Sequence, residues 1–230
     1  MFANTEDPLW LIGRTYRKLY NILVETTYPF ASNGGDLWID YTCELDRSTA
    51  HRIQLGRFVL LRRDCRLQVL APPQETGEPI ITLDSVVDVG AGSTISAKNR
   101  IHLEREVTLG QSVLVMDHGP AHEDVTVPVR HQGVTEGGRI RIAKGCFVGQ
   151  GTVIRCERGE LVLGQHSVVA AHSLITRSFP PYSLIAGNPA RIVQQFDPEK
   201  KMWVLGGTRL KPAQQNSGAD RHLPALSSSG

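Results

Sequence analysis

The chain has 230 residues, with 25 basic and 23 acidic side chains and a formal net charge of +2. That length suffices for one sizeable core without staples. The near-balance of charge gives no reason to expect nucleic acid or an anionic membrane as partner. Four cysteines, Cys43, Cys65, Cys146 and Cys156, show no CxxC spacing and no short disulfide framework, which argues against a zinc ribbon and a secreted stapled domain.

The opening residues MFANTEDPLW hold no basic leader before an apolar run and no small-residue cleavage site. No apolar run is long enough to span a bilayer, so a reducing cytoplasm is the expected location. The spacing then predicts a helix over 7–28. Asp7 can cap it, Pro8 suits its first position, and Ile12, Tyr16, Leu19 and Leu23 recur at helical intervals until Pro29 ends it. The expectation is an amphipathic helix packed on the main body. Trp10, Tyr16, Arg14, Arg17 and Lys18 keep a membrane-facing role open.

From residue 53 to 180 an aliphatic residue recurs every sixth position. The runs are Leu55, Leu61, Leu67; Leu83, Val89, Ile95; Leu103, Leu109, Val115; Ile142, Val148, Ile154; and Leu163, Val169, Ile175. Gly56, Gly90, Gly110, Gly149 and Gly164 directly follow such frame positions. A hexad is too short for a helix and its turn but fits one short strand and a corner. Three hexads make one coil of a three-sided solenoid, with one side chain per side pointing inward and stacked into aliphatic columns. Every break in the spacing follows a third hexad, so all insertions are expected at one edge of the prism.

After Pro180 the chain reads PYSLIAGNPARIVQQFDPEKKMWVLGG. Asp197 and Pro198 can start a short helix that Gly206 and Gly207 end. The expected organisation is a lead-in over 1–52 with its helix, a repeat domain over 53–195, a short helix within 196–210, and a disordered polar tail over 211–230.

The hexads, the loop DHGPAHEDVTVPVRHQG and the closing segment SFPPYSLIAGNPARIV together resemble the hexapeptide-repeat acyltransferases, in the branch of sugar and polysaccharide O-acetyltransferases similar to maltose and galactoside acetyltransferases. The resemblance covers roughly residues 53–195. It implies an all-β fold, the left-handed parallel β-helix, a handedness that spacing alone does not give. It further implies a homotrimer, acyl-CoA held between neighbouring subunits, an acetyl group passed to a sugar, nucleotide-sugar or polysaccharide-precursor hydroxyl, a histidine base on a loop, and no metal.

Carried over, the excursion from Met116 to Arg139 is the active-site loop and His118, after Asp117, matches the catalytic histidine. Imidazole, with a pKa near about 6.5, can take the acceptor's proton at neutral pH. A carboxylate on its other nitrogen would fix the tautomer. Asp117, Glu123 and Asp124 are all candidates, and the sequence does not choose among them. The expected catalytic set is His118 with Asp117, and His122, Glu123, Asp124 and Gln132 are assigned to the acceptor. For acetyl-CoA the resemblance points to Gln150, Gly151, Ala171, Thr176, Arg177 and Arg191. Ala171 would let the pantetheine amides reach the backbone, and Arg191 would meet the nucleotide phosphates.

The chain departs from the pattern at Pro120, where relatives carry a second histidine. An asparagine that some relatives present from the preceding coil is also not evident, Gly90, Gly92 and Ser93 standing there instead. Two other readings use the same fold. A γ-class carbonic anhydrase needs three histidine ligands for its zinc, but His118 and His122 have the wrong spacing and no histidine lies between His51 and His102. A non-catalytic scaffold is disfavoured by His118 and AGNPAR. His51, His102, His131, His166, His172 and His222 read as surface, coil-edge or tail residues.

Overall fold

In the computed structural model, residues 8–70 and 77–205 are described, except the side chains of 8–12 and 14. The expected cap at Asp7 and the expected tail over 211–230 lie outside them. The hexads form a prism with three parallel sides. Six strands make side one, six make side three, and side two reaches nine by continuing into a closing hairpin. Strand register stacks the frame positions as the spacing requires. Leu55, Leu83, Leu103, Ile142 and Leu163 form one column. Leu61, Val89, Leu109, Val148 and Val169 form the second, and Leu67, Ile95, Val115, Ile154 and Ile175 the third. All fifteen are buried, each stabilising the fold by about 1.5–3 kcal/mol relative to exposure.

The corners explain the rest of the hexad. The residue three past a frame position turns the chain through left-handed backbone, even where it carries a side chain, as at Phe58, Asp64, Val86, Glu106, Ser112, His166 and His172. Glycine follows the frame where coils touch. A Cβ on Gly149 would lie 2.5 Å from the backbone nitrogen of Ala171 one coil on, inside van der Waals contact.

The prism begins earlier than residue 53. Ser32–Asn33, Trp38–Ile39 and Glu44–Leu45 form a first coil inside the lead-in, pairing with the coil that starts at Ile53. Its frame is Asn33, Ile39, Leu45, so the hexad spacing continues but opens on a polar residue. Helix α1 (Pro8–Thr27) lies across this open end. Asn21 Oδ1 accepts from Ile39 N at 2.7 Å and Glu25 Oε1 from Leu37 N at 2.6 Å. These bonds satisfy amides that an edge strand would otherwise leave bare. Val24 is buried against the core and Tyr20 partly so.

Two expectations are corrected. The stripe Tyr16, Leu19, Leu23 points outward, because the polar bonds of Asn21 and Glu25 turn the adjoining face of α1 onto the coil. The helix expected within 196–210 is absent from its described part. Asp197 does cap a turn, accepting from Glu199 N and Lys200 N. However, Met202–Leu205 pairs antiparallel with Gln194–Asp197 as a strand, since Trp203 and Val204 suit a ladder with a ready partner. Among the described residues no helix is long and apolar enough to cross a membrane.

Among the described residues the excursions leave between side three and side one, at 46–52, 98–99, 117–138, 156–159 and 176–178, where Phe179 rejoins side one beside Leu163, and the break between Val69 and Ile81 falls at the same edge. We call this edge corner three, and the edge between sides two and three corner two.

Ile154 is fully buried between Val115 and Ile175. Ile154→Ala should cost about 2–5 kcal/mol and Ile154→Val about 1 kcal/mol, read as a lowered midpoint of urea unfolding.

Candidate active site

His118 and Asp117 stand at the root of the longest described excursion on corner three, directly after the strand Leu114–Met116. Asp117 is 0% exposed and His118 5% exposed. The carboxylate accepts four hydrogen bonds. Its Oδ1 takes Lys98 N at 2.8 Å and meets His118 Nδ1 at 3.0 Å, and its Oδ2 takes Asn99 N at 2.8 Å and Arg100 N at 2.9 Å. Burial by itself would raise the Asp117 pKa. The bonds from His118 and the three backbone amides outweigh it and hold the carboxyl below its usual range. An ionised carboxylate can only accept, so Nδ1 carries a proton and the neutral ring presents Nε2 as a lone pair. Of the three candidate carboxylates, Asp117 is the one in place.

The loop is braced beside the imidazole. Thr135 bonds Gly119 twice, Gly119 N reaching Thr135 Oγ1 at 3.0 Å and Thr135 N reaching Gly119 O at 2.8 Å. Lys98 Nζ donates to Thr135 O at 2.6 Å and Asn99 Nδ2 to Glu136 O at 2.9 Å. Lys98, Asn99, Arg100 and Thr135 were not singled out by the sequence. For the first three the signal was the spacing of eight between Ile95 and Leu103, a small break at the same edge as the loop.

The residues assigned to the acceptor lie further out. His122 is exposed, with Nδ1 3.1 Å from Pro120 O. Glu123 pairs loosely with Arg158 at 3.4 Å, both well exposed. Asp124 is bonded by the hydroxyl and amide of Thr126, which lower its pKa. The Gln132 amide closes the turn, accepting from Asp124 N and donating to Asp124 O and Val127 O. These last two shape the loop. Among the described residues no group of three His, Cys, Asp or Glu is placed to hold a metal ion.

The residues assigned to acetyl-CoA divide between two edges. Thr176 and Arg177 directly follow the strand Leu174–Ile175 on corner three, two coils beyond His118. Both are exposed, with the Arg177 guanidinium 5.2 Å from the centre of the Phe179 ring. Gln150, Gly151 and Ala171 stack instead on corner two, where His172 N donates to Gln150 O at 2.8 Å. Arg191 lies beyond them on the closing hairpin, opposite Ala186. The width of side three therefore separates the two groups within one chain.

The Asp117 shift has a sign that can be checked. A depressed carboxyl pKa contributes stability above the unfolded value, near about 3.9, and loses it as pH falls through the lower folded value. The stability gap between wild type and Asp117→Asn should be widest above about pH 4 and narrow below it, measured by urea unfolding from pH 7 downward.

No family model matches the chain. A Staphylococcus aureus (strain COL) protein bearing an acetyltransferase name is 28% identical over 82 residues, 36% of this chain and 40% of that protein. The Escherichia coli (strain K12) protein named as lipopolysaccharide biosynthesis O-acetyl transferase WbbJ is 24% identical over 134 residues, 55% of this chain and 66% of that one. The chain thus spans less than half the length of the first curated relatives it matches. Among solved structures, AntD, an N-acyltransferase from Bacillus cereus in complex with dTDP and 3-hydroxybutyryl-CoA, superposes with a TM-score of 0.58 at 18% identity, covering 77% of this chain and 86% of that one. A maltose O-acetyltransferase from Clostridium difficile 630 gives 0.50 at 18% identity, over 84% and 90%. The fold is the left-handed parallel β-helix, and relatives with acetyltransferase names support the resemblance to hexapeptide-repeat acyltransferases.

Proposed function

We propose that the chain is a CoA-dependent acyltransferase that moves an acetyl group from acetyl-CoA to a hydroxyl of a sugar or polysaccharide precursor, with His118 as general base. The observation that carries this reading is the buried, ionised Asp117 holding His118 Nδ1 at the root of the loop. Names of relatives and of structural neighbours that act on sugars or bind an acyl-CoA point the same way.

His118 Nε2 takes the acceptor's hydroxyl proton as the oxygen attacks the thioester carbonyl. The resulting imidazolium is stabilised by the Asp117 carboxylate. The C–S bond then breaks and the proton passes to the departing sulfur, so no acyl group is held on the protein. Thr176, Arg177 and the corner-two residues Gln150, Gly151, Ala171 and Arg191 would hold the donor. The exposed guanidinium groups of Arg177 and Arg191 suit its phosphates. Because these lie on both edges of side three, one donor site needs corner three of one chain and corner two of another, which a homotrimer supplies. Four free thiols fit a reducing cytoplasm.

Thiol release from acetyl-CoA, assayed with a panel of sugars and nucleotide sugars, should depend on acceptor. It should fall by about 10²–10⁴-fold in His118→Ala and in Asp117→Asn. Release that survives His118→Ala would hand the base role to another residue, His122 first. Sharing of the site can be tested by co-assembling two inactive variants, His118→Ala and Ala171→Trp. Random mixing should restore about a quarter of the wild-type sites, and an inactive mixed assembly would contradict a shared site.

A further inference from the structure

On side three the outward column beside corner three runs Gln68, Ser96, Met116, Arg155, in register from coil to coil. Thr176 continues it, since Ile154 pairs with Ile175. Arg155 is the one charged side chain in this run. Successive coils rise by about 4.8 Å, which places Arg155 one coil beyond His118 and one before Thr176 and Arg177.

The excursion after Arg155 is tied to the root of the active-site loop. Cys156 N donates to Met116 O and Gly138 N to Cys156 O, both at 3.1 Å. Glu157 pairs with Arg155 Nε at 3.2 Å. The Glu157 carboxylate also fills the place where a Cβ on Gly119 would stand. It is thus wedged between Arg155 and the residue that follows His118. Glu157 is 31% exposed and Arg155 45% exposed. Among the described residues the two terminal nitrogens of Arg155 have no partner, and they keep four N–H donors.

We infer that Arg155 is a further catalytic residue, whose terminal N–H groups donate to the thioester carbonyl oxygen while Glu157 fixes the guanidinium. This rests on the acyltransferase reading. As the acceptor oxygen bonds to the carbonyl carbon, the C=O electron pair moves onto oxygen and the hydroxyl proton onto His118 Nε2. Re-forming C=O expels sulfur, which takes that proton. The carbonyl oxygen is the atom that gains charge between these steps, and a donor held toward it by a second side chain is already oriented for it. Glu157 holds Nε and leaves the terminal fork of the guanidinium for the substrate, and Lys in its place would keep the charge but lose the fork.

The test compares wild type, His118→Ala, Arg155→Met, Arg155→Lys and Glu157→Gln for acetyl transfer to the best acceptor. Coenzyme A affinity by calorimetry and unfolding midpoints are measured alongside. Arg155→Met should lower kcat by about 10²–10³-fold with KM for acetyl-CoA and the unfolding midpoint unchanged. Arg155→Lys should recover part of the loss, and Glu157→Gln should fall between. A kcat within a few-fold of wild type in Arg155→Met, beside an inactive His118→Ala, would overturn the role of Arg155 and leave the acyltransferase reading standing. So would a rise in KM or in the coenzyme A dissociation constant with kcat intact. No His118-dependent transfer by wild type would overturn both.

Discussion

Parallel strands in a ladder must keep the same rise from coil to coil, and here three buried columns of Leu, Ile and Val hold that register on every side. A residue inserted within a hexad would swing every later side chain on that strand out of the core. Extra chain is therefore tolerated only where a coil closes, between side three and side one. His118, Asp117, the loop and Arg155 all lie on that edge because the core leaves nowhere else for irregular backbone. The rigid strands Leu114–Met116 and Val153–Arg155 then aim the side chains that follow or end them.

A fully buried carboxylate is costly unless its oxygens are satisfied. Asp117 is satisfied by one turn of the preceding coil, the amides of Lys98, Asn99 and Arg100. The side chains of Lys98 and Asn99 also reach the returning arm of the loop at Thr135 and Glu136. One short turn thus fixes both the charge behind His118 and the backbone beside it. That arrangement holds the imidazole in one orientation, and under the proposed function such positioning, set before any substrate arrives, lowers the barrier.

The repeat was legible because its frame is uniformly aliphatic, and the single edge for insertions followed from where the spacing breaks. What stayed hidden had no side-chain signature. The first coil opens on Asn33, so its hexads lack an aliphatic start. The outward face of α1 follows from polar bonds of Asn21 and Glu25 that no apolar periodicity reports. At the C-terminus, the capping signal at Asp197 looks like a helix start but serves only a turn, and the partner segment Gln194–Asp197 makes Met202–Leu205 a strand. In the site, His118 stood out by its place in the longest break. The choice of Asp117 over Glu123 and Asp124 depends on backbone donors nearly twenty residues away, which spacing cannot show.

In the proposed assembly His118 on corner three faces a donor held jointly with corner two of a second chain. A crystal structure with coenzyme A bound tests it most directly. The sulfur should lie beside His118 Nε2, with Arg155, Thr176 and Arg177 of one chain on one flank and Gln150, Ala171 and Arg191 of its neighbour on the other. Coenzyme A bound to a single chain, or with its sulfur remote from His118, would contradict it.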